Sequence, residues 1–340
     1  MFNTSSSILR IAKAPMRISF IGGGSDFQTF FSKSEIPGRV LGASINKFVY
    51  VMASEHPKFE PFKFKFTYRK TEEVHDISDF EHPVVRVALN SVGREMPLNL
   101  ATMASLPGRS GLGSSSAFTV ALLAVLSEKN SFGNTDKEAL AIKAVEIERK
   151  ILNEAGGVQD QFHAAFGGFR LYEFEKHRNS IHQPIDSPDF LELVEESLYL
   201  VASGPARNSS QHSSKIENSL NNTQTESHLQ ILSELALQTY LAILNENSPL
   251  VKLEILSKSI TESWEIKKKL GVALSLETQK IITAGVSLGA KAFKLCGAGG
   301  SGFVAFLVPP RIGIKLVETF GENNVFRPGL SNSGVEVSNF

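Results

Sequence analysis

The sequence predicts an α+β fold of two domains. Its 340 residues, 42% of them hydrophobic, suffice for one large core or two ordinary ones. Strand patterns dominate the first third of the chain, and the later helical patterns precede a strand pair around a glycine cluster. We expect a strand-rich N-terminal domain over residues 1–185 and an α+β C-terminal domain over residues 186–340.

Three strands are predicted in the first third, where apolar β-formers alternate or cluster between turn residues: Ile18 to Ile21, Ile45 to Ala53, and Phe62 to Tyr68. In the last of these, lysines alternate with phenylalanines. This pattern suits either a nucleic-acid surface or a strand with phenylalanines inward and lysines in solvent. The strand interpretation is favoured because period-2 alternation alone explains it.

The helical patterns differ in polarity. Ala117 to Leu126 is apolar nearly all round and predicts a buried core helix. The next helix begins with a capping pattern of Thr135 and Glu138, whereas the polar stretch from Pro205 to His228 predicts a loop or a solvent-facing helix. The predicted helices are Ser114 to Lys129, Asp136 to about Asn153, Leu229 to Asn245, Val251 to Leu270 and Leu276 to Leu288.

Charge and cysteine content argue for a small-molecule partner. The 35 basic and 35 acidic residues cancel, so no overall field attracts nucleic acid or an anionic membrane. The single cysteine, Cys296, excludes an internal disulfide framework and a cysteine-rich zinc site, which suits a cytoplasmic location. We expect neither a membrane span nor a secretory signal, and homo-oligomerisation stays open.

A glycine- and serine-rich segment, Pro107 to Ser116, runs directly into a predicted helix. Glycines allow positive φ and close backbone approach, while the N–H groups at a helix N-terminus favour an anion such as a triphosphate. An ordinary capped turn is the alternative, since serine is a common N-cap. Three glycines and four serines within ten residues favour the phosphate loop.

Two familiar nucleotide motifs do not fit the chain. No Gly-Lys-Ser/Thr sequence is present, so the loop is not a Walker A motif. Gly297 to Gly302 matches G-x-G-x-x-G, but an apolar strand pattern follows it where a dinucleotide fold requires a helix, and too few residues remain for a protein kinase. We expect this cluster to let the backbone pass close to a ligand.

Asp26 follows three glycines after the first predicted strand. Its carboxylate suits either hydrogen bonds from sugar hydroxyls or a turn-capping role, and the segment alone does not decide between them.

The apolar stripe predicted for the second helix consists of Leu140, Ala144, Ile147 and Ile151. Glu148 falls within this stripe, whereas Glu146 faces the opposite side. A buried carboxylate requires compensation by a cation or by a basic side chain. Asp160 follows twelve residues later, across Gly156 and Gly157, and can fold back beside Glu148. Phosphoryl transfer needs an oriented hydroxyl and cations that neutralise the phosphate, which these acids, Arg17 and the serine loop can supply.

Taken in order, the three glycine motifs resemble those of the GHMP kinases over about Arg10 to Val337. The resemblance implies a two-domain fold with a ferredoxin-like C-terminal domain, ATP at the serine loop and the acceptor between the domains. It implies Asp160 as catalytic base with Arg17 as its electrostatic partner, and Ser115 and Glu148 as Mg²⁺ ligands. The nucleotide contacts it implies are Pro107, Gly108, Ser110, Gly111, Leu112, Gly113, Ser114, Ser115 and Ser116.

The first motif departs from galactokinase and mevalonate kinase, which carry Gly-Glu-His where this chain has Gly-Gly-Gly-Ser-Asp at residues 22–26. It resembles the heptose 7-phosphate kinase branch, although fucokinase-type domains share much of the pattern. A glycine is expected at the position of Ser301, whose hydroxyl leaves the ligand contacts of the third motif open. The implied substrate contacts are Gly23, Gly24, Ser25, Asp26, Asp160, Arg207 and Gly299.

The resemblance therefore implies phosphorylation of a sugar at its anomeric hydroxyl, with D-glycero-D-manno-heptose 7-phosphate as the favoured substrate. A second phosphate requires a second anion site, for which Arg207 and Lys267 to Lys269 are candidates. The alternatives are a kinase of an unphosphorylated sugar and a catalytically silent sensor on the same fold.

Overall fold

The computed structural model describes residues 9–57, 59–93, 96–108, 110–127, 136–204, 223–272, 274–297 and 302–340. The chain has a two-domain α+β fold with an eight-stranded and a four-stranded sheet. The strands are β1 (Arg10–Ile21), β2 (Gly38–Glu55), β3 (Phe64–Thr67), β4 (Thr71–Val74), β5 (Leu98–Ala104), β6 (Phe169–Phe174), β7 (Asn179–Ile181), β8 (Leu198–Ala202), β9 (Ala292–Leu295), β10 (Phe303–Leu307), β11 (Val325–Phe326) and β12 (Glu336–Asn339). The α-helices are α1 (Gln28–Phe31), α2 (Pro83–Ser91), α3 (Ser114–Leu126), α4 (Lys137–Val145), α5 (Gln159–Phe166), α6 (Pro188–Ser197), α7 (Thr223–Asn245), α8 (Pro249–Lys269), α9 (Leu276–Ser287) and α10 (Pro310–Phe320).

The larger sheet has the order β12-β1-β2-β5-β3-β4, and β6 pairs with both β2 and β7. The β3–β5 pair is parallel, and the other pairs are antiparallel. β1 and β2 extend well beyond the predicted strands because they pair with each other along most of their length. Inside this sheet, Phe64 and Phe66 are buried while Lys65 pairs with Glu73, as the strand interpretation predicts.

The smaller sheet has the antiparallel order β11-β8-β10-β9. β9 and β10 are the strand pair predicted around the glycine cluster. Tyr199, Phe306 and Leu316 belong to its apolar core. The chain then returns to the larger sheet, where β12 pairs with β1. The predicted boundary at residues 185 and 186 stays a prediction.

Helix α3 is the buried centre of the N-terminal half. Every side chain from Ala117 to Leu126 is buried, which confirms the core helix predicted from its apolar sequence. The helix contacts β1 and β2 on one side and α5 on another. This packing places the N-terminus of α3 at the point where the glycine loop ends. Among the described residues, no helix is long and apolar enough to cross a bilayer.

Some helix predictions fall partly outside the described residues. The predicted cap, Thr135, lies outside them, and the structure shows Asp136 as the N-cap of α4, accepting a hydrogen bond from the N–H of Ala139. Of the polar stretch from Pro205 to His228, the part from Thr223 onward is the start of α7, and the rest lies outside the described residues.

The predicted stripe along the second helix is wrong at its end. α4 continues into a π-helical segment, Glu146–Ile151, which has more residues per turn than the α-helix that the prediction assumed. As a result, Ile151, predicted to face the core, is 49% exposed. Glu148 lies near the start of the π-helical segment, where the change in residues per turn has moved side chains little, and it is buried, as predicted.

Candidate active site

Arg17 and Asp160 form a bidentate ion pair. Arg17 lies on β1 between two irregularities in its register with β2, and Asp160 is in the first turn of α5. Nε of Arg17 donates to Oδ1 of Asp160 at 2.8 Å, and Nη2 donates to Oδ2 at 2.7 Å. The Arg17 side chain is 9% exposed and that of Asp160 is 20% exposed. The pair therefore presents an oriented carboxylate to a ligand.

The glycine and serine loop passes directly over this pair. Nη1 of Arg17 donates to the carbonyl of Gly111 at 2.8 Å, and the backbone N–H of Arg17 donates to the carbonyl of Leu112 at 2.8 Å. Gly113 has a φ of 76°, and a Cβ there would lie 3.2 Å from Cγ of Arg17 and 3.4 Å from Oδ2 of Asp160. This approach brings the N-terminus of α3 next to the ion pair.

The loop side chains differ in exposure. Backbone N–H groups in the first turn of a helix lack acceptors within the helix, so the exposed side of this loop is suited to an anion. Pro107, Gly108 and Ser115 are exposed, Gly111 and Gly113 are partly exposed, and Ser110, Leu112, Ser114 and Ser116 are buried.

The third glycine motif packs on the same loop. A Cβ on Gly297 would lie 2.8 Å from Cα of Gly111, and a Cβ on Gly302 would lie 2.4 Å from the carbonyl oxygen of Ser110. The sequence predicts that this motif lies close to a ligand. In the structure, Gly297 and Gly302 lie close to the backbone of the glycine and serine loop. The strand β10 follows, as expected, in place of a helix.

Glu148 is a buried carboxylate with one unpartnered oxygen. Its Oε2 accepts hydrogen bonds from Oγ of Ser116 at 2.8 Å and from Nε2 of Gln161 at 2.7 Å. Its Oε1 is buried without a hydrogen-bond partner in the described part of the chain. Burial raises the pKa of Glu148, against the charge of Arg149 and the hydrogen bond from Ser116. A divalent cation fits this unpartnered oxygen.

The described side chains that hydrogen-bond to Glu148 are Ser116 and Gln161, neither of which was paired with it in the predictions from sequence. The structure brings Ser116 to Glu148, whereas Ser115 is exposed. Gln161 folds back beside Glu148 in the place expected for Asp160, which instead pairs with Arg17. The salt-bridge alternative is met only by a 3.6 Å contact between Oε2 and Nη2 of Arg149. Across the described ranges, no group of three or more His, Cys, Asp or Glu side chains is arranged to hold a metal ion.

Ser25 and Asp26 serve the turn of the first motif. Oδ1 of Asp26 accepts from the N–H of Gly24 at 2.8 Å, and Oδ2 accepts from Nε2 of Gln159 at 2.9 Å. The Ser25 hydroxyl accepts from the N–H of Arg39 at 3.0 Å. Both side chains are buried. These contacts match the turn interpretation of Asp26, and the predicted sugar contacts of Ser25 and Asp26 gain no support from them.

The sequence around these residues matches a known family. Residues 83–168, which include the loop, Glu148 and Asp160, match the model described as the GHMP kinases N terminal domain. By this match, residues 83–168 are similar to the N-terminal domain of the GHMP kinases. This agrees with the family resemblance of the three glycine motifs.

Some similar proteins match nearly the whole length of the chain. The chain is 24% identical over 317 residues to the D-glycero-alpha-D-manno-heptose 7-phosphate kinase of Campylobacter jejuni, covering 90% of this chain and 91% of that protein. The structure of a D-glycero-D-manno-heptose 1-phosphate kinase from Bacteroides thetaiotaomicron is similar with a TM-score of 0.76 and 23% identity, covering 97% and 99% of the two chains. Lactococcus lactis galactokinase, solved with galactose, has a TM-score of 0.68 at 16% identity, covering 96% and 95%.

A partly open cavity lies beside the first glycine motif. Gly23 and Gly24, both predicted substrate contacts, line it together with Gly297. Its apolar wall includes Trp264 and Phe293. Two further predicted contacts, Arg207 and Gly299, lie outside the described residues.

Sequence reasoning missed part of this lining. Lys267 was included in a candidate anion cluster, but Ser263 and Lys294 were not considered, although both line the cavity. The available signal was a lysine within the apolar strand β9, which is 8% exposed in the structure. Ser263 lies four residues before Lys267 and therefore on the same face of α8.

Proposed function

We propose that this chain is an ATP-dependent kinase that phosphorylates the anomeric hydroxyl of D-glycero-D-manno-heptose 7-phosphate to give the 1,7-bisphosphate. The observation that carries the proposal is the bidentate pair of Arg17 and Asp160, with the glycine and serine loop packed against it. Phosphoryl transfer depends mainly on orientation and electrostatic stabilisation, and this arrangement can supply both.

Asp160 has the role of catalytic base. Its carboxylate accepts the proton of the sugar hydroxyl as that oxygen bonds to the γ-phosphorus and the bond from this phosphorus to the ADP oxygen breaks. Arg17 holds both oxygens of Asp160, so the orientation of the base is set before substrate binds. Its positive charge also lies beside the loop, where the transferring phosphoryl group requires compensation.

The loop and Glu148 bind the nucleotide and its metal in this proposal. The N–H groups at the start of α3 contact the phosphates, with loop residues 107–116 supplying the remaining contacts. Glu148, whose Oε1 is unpartnered among the described residues, and Ser115, the exposed serine of the first turn, would be the protein ligands of Mg²⁺. The bound ion would neutralise charge on the phosphate oxygens.

The choice of sugar rests on two observations. The Campylobacter jejuni relative is named a heptose 7-phosphate kinase and covers most of both chains. The first motif has Gly-Gly-Gly-Ser-Asp, and its glycines line the cavity without side chains that would restrict a large substrate. A seven-carbon sugar with a terminal phosphate suits such a site.

The test is magnesium-dependent ADP release with heptose 7-phosphate, mannose, fucose and galactose, with phosphorus NMR locating the new phosphate. We expect activity with the heptose phosphate alone, at C1. Activity only with a free sugar would overturn the proposed substrate but not the proposed kinase activity. If ATP binds but no sugar supports ADP release, the kinase proposal is overturned and a sensor is favoured.

A further inference from the structure

Two lysine side chains meet in the cavity beside the first motif. Lys267, on α8, is half-buried, and Lys294, on β9, is 8% exposed. A Cβ on Gly23 would lie 3.5 Å from Nζ of Lys267, and also 3.5 Å from Nε2 of Gln159, the residue before Asp160. Lys267 therefore lies next to the glycine motif on the side that leads to Asp160.

Among the residues that the structure describes, these two amino groups are not matched by a paired carboxylate. Within the described ranges, neither amino group forms an ion pair with a carboxylate, and Lys294 donates to the carbonyl of Leu295. Burial lowers the pKa of both lysines, with the charge of Lys267 lowering that of Lys294 further. Asp26 acts on Lys267 in the opposite direction, but its carboxylate is already held by Gly24 and Gln159. An anion bound in the cavity would offset the cost of burying the positive charges of the two lysines.

Ser263 gives an independent indication of a ligand. Its side chain lines the same cavity and is 1% exposed. Its hydroxyl has no hydrogen-bond partner in the part of the chain that the structure describes. A buried hydroxyl without a partner is costly, and it lies one helical turn from Lys267 on the same face. The cavity thus combines two amino groups and a free hydroxyl donor, which are suitable partners for a phosphate monoester.

We propose that Lys267, Lys294 and Ser263 bind the terminal phosphate of a phosphorylated sugar substrate and so select it over the free sugar. This inference rests on the proposed kinase function and names the site of its specificity. The apolar wall formed by Trp264 and Phe293 accommodates the carbon skeleton. The phosphate chain of ATP has its own place at the start of α3, so the lysine site serves the acceptor.

The test compares kcat/KM for D-glycero-D-manno-heptose 7-phosphate and for the same heptose without phosphate. Lys267→Gln and Lys294→Gln should each lower kcat/KM for the phosphate by about 10- to 100-fold, because each loses a charged hydrogen-bond partner. Ser263→Ala should lower it by about fivefold. In each variant, kcat/KM for the free heptose and the KM for ATP should change by less than about threefold. Lys268→Ala is the matched control, since Lys268 pairs with Glu265 on the exposed face of α8.

Each other outcome overturns the inference in a distinct way. An equal loss for both sugars would assign the lysines to general positioning, and a rise only in the KM for ATP would assign them to the nucleotide. If circular dichroism shows that a lysine variant does not fold, the test uses Ser263→Ala and the unaltered protein. Equal kcat/KM of the unaltered protein for both heptoses overturns the proposed phosphate site. Absence of ADP release with any sugar overturns the kinase function itself.

Discussion

Arg17 and Asp160 lie 143 residues apart in the chain, yet the guanidinium holds both oxygens of the carboxylate at 2.7 and 2.8 Å. The third donor of this guanidinium holds the carbonyl of Gly111. One side chain on β1 thus fixes the orientation of the base on α5 and the path of the phosphate loop. Changes at this junction should affect catalysis more than stability.

Asp160→Asn should lower kcat by about 10²- to 10⁴-fold, because the amide keeps the shape of the carboxylate but cannot accept the proton. ATP affinity, measured by calorimetry, should stay within about threefold. Asp186→Asn, at an exposed position, is the control and should keep full activity. Near-normal turnover by Asp160→Asn would remove this residue from the mechanism.

Glu148→Gln should raise the Mg²⁺ concentration needed for half-maximal activity by at least about 10-fold, because the charged ligand is lost. The melting temperature should be unchanged or higher, since a buried charge that burial disfavours has been removed. Magnesium titrations of ADP release give the first quantity and thermal unfolding the second.

Glu146→Gln is the matched control, two residues earlier, where the side chain pairs with Lys143 at the surface. Its magnesium requirement should equal that of the unaltered protein. An unchanged requirement in Glu148→Gln would show that the buried carboxylate is structural.

Gly157→Ala should destabilise the protein by about 2 to 3 kcal/mol. A Cβ at this position would lie 1.8 Å from Oδ2 of Asp26, so the carboxylate must move and its bonds to Gly24 and Gln159 must break. Chemical denaturation measures the change. At Gly108 a Cβ meets no atom within 4 Å, so Gly108→Ala should cost less than about 0.5 kcal/mol. Equal stability of both variants would contradict the packing of Gly157 on Asp26.

Cys296 should resist alkylation in the folded protein. Burial raises the pKa of its thiol to about 11, against the charges of Lys294 and Arg17, and the side chain is 5% exposed. At pH 8 about one thiol in a thousand is therefore ionised. Iodoacetamide at pH 8, followed by mass spectrometry, should label the native protein at least about 100-fold more slowly than the protein in guanidinium. Comparable rates would indicate that β9 opens readily.

Several features could be predicted from local sequence patterns, because each of these features depends on residues that are close together in the chain. The all-round apolar character of Ala117 to Leu126 predicts burial whatever partners surround the helix, and the structure confirms it. Alternation in β3 likewise predicts the buried faces of Phe64 and Phe66. Ile151 was placed incorrectly because a π-helical turn changes the residue period, and no local pattern announced that turn.

The glycine motifs show the limit of this reasoning. Their approach to a ligand stays a prediction, and the structure shows that Gly297 packs on Gly111, which lies in a different motif. Such an approach depends on how β9 and α3 are placed relative to each other. Gln161 was likewise absent from the predicted site, although its side chain reaches Glu148.

The sequence by itself determined the residue types available for chemistry: a loop that exposes helix N–H groups, a buried acid on a helix face, and the order of three motifs that resemble a kinase family. The pairing of Arg17 with Asp160 agrees with what the family resemblance implies. Only the tertiary structure showed that Glu148 contacts Ser116 and that Lys267 and Lys294 line one cavity. Side-chain period is a property of a few consecutive residues, whereas these contacts depend on long-range packing between elements.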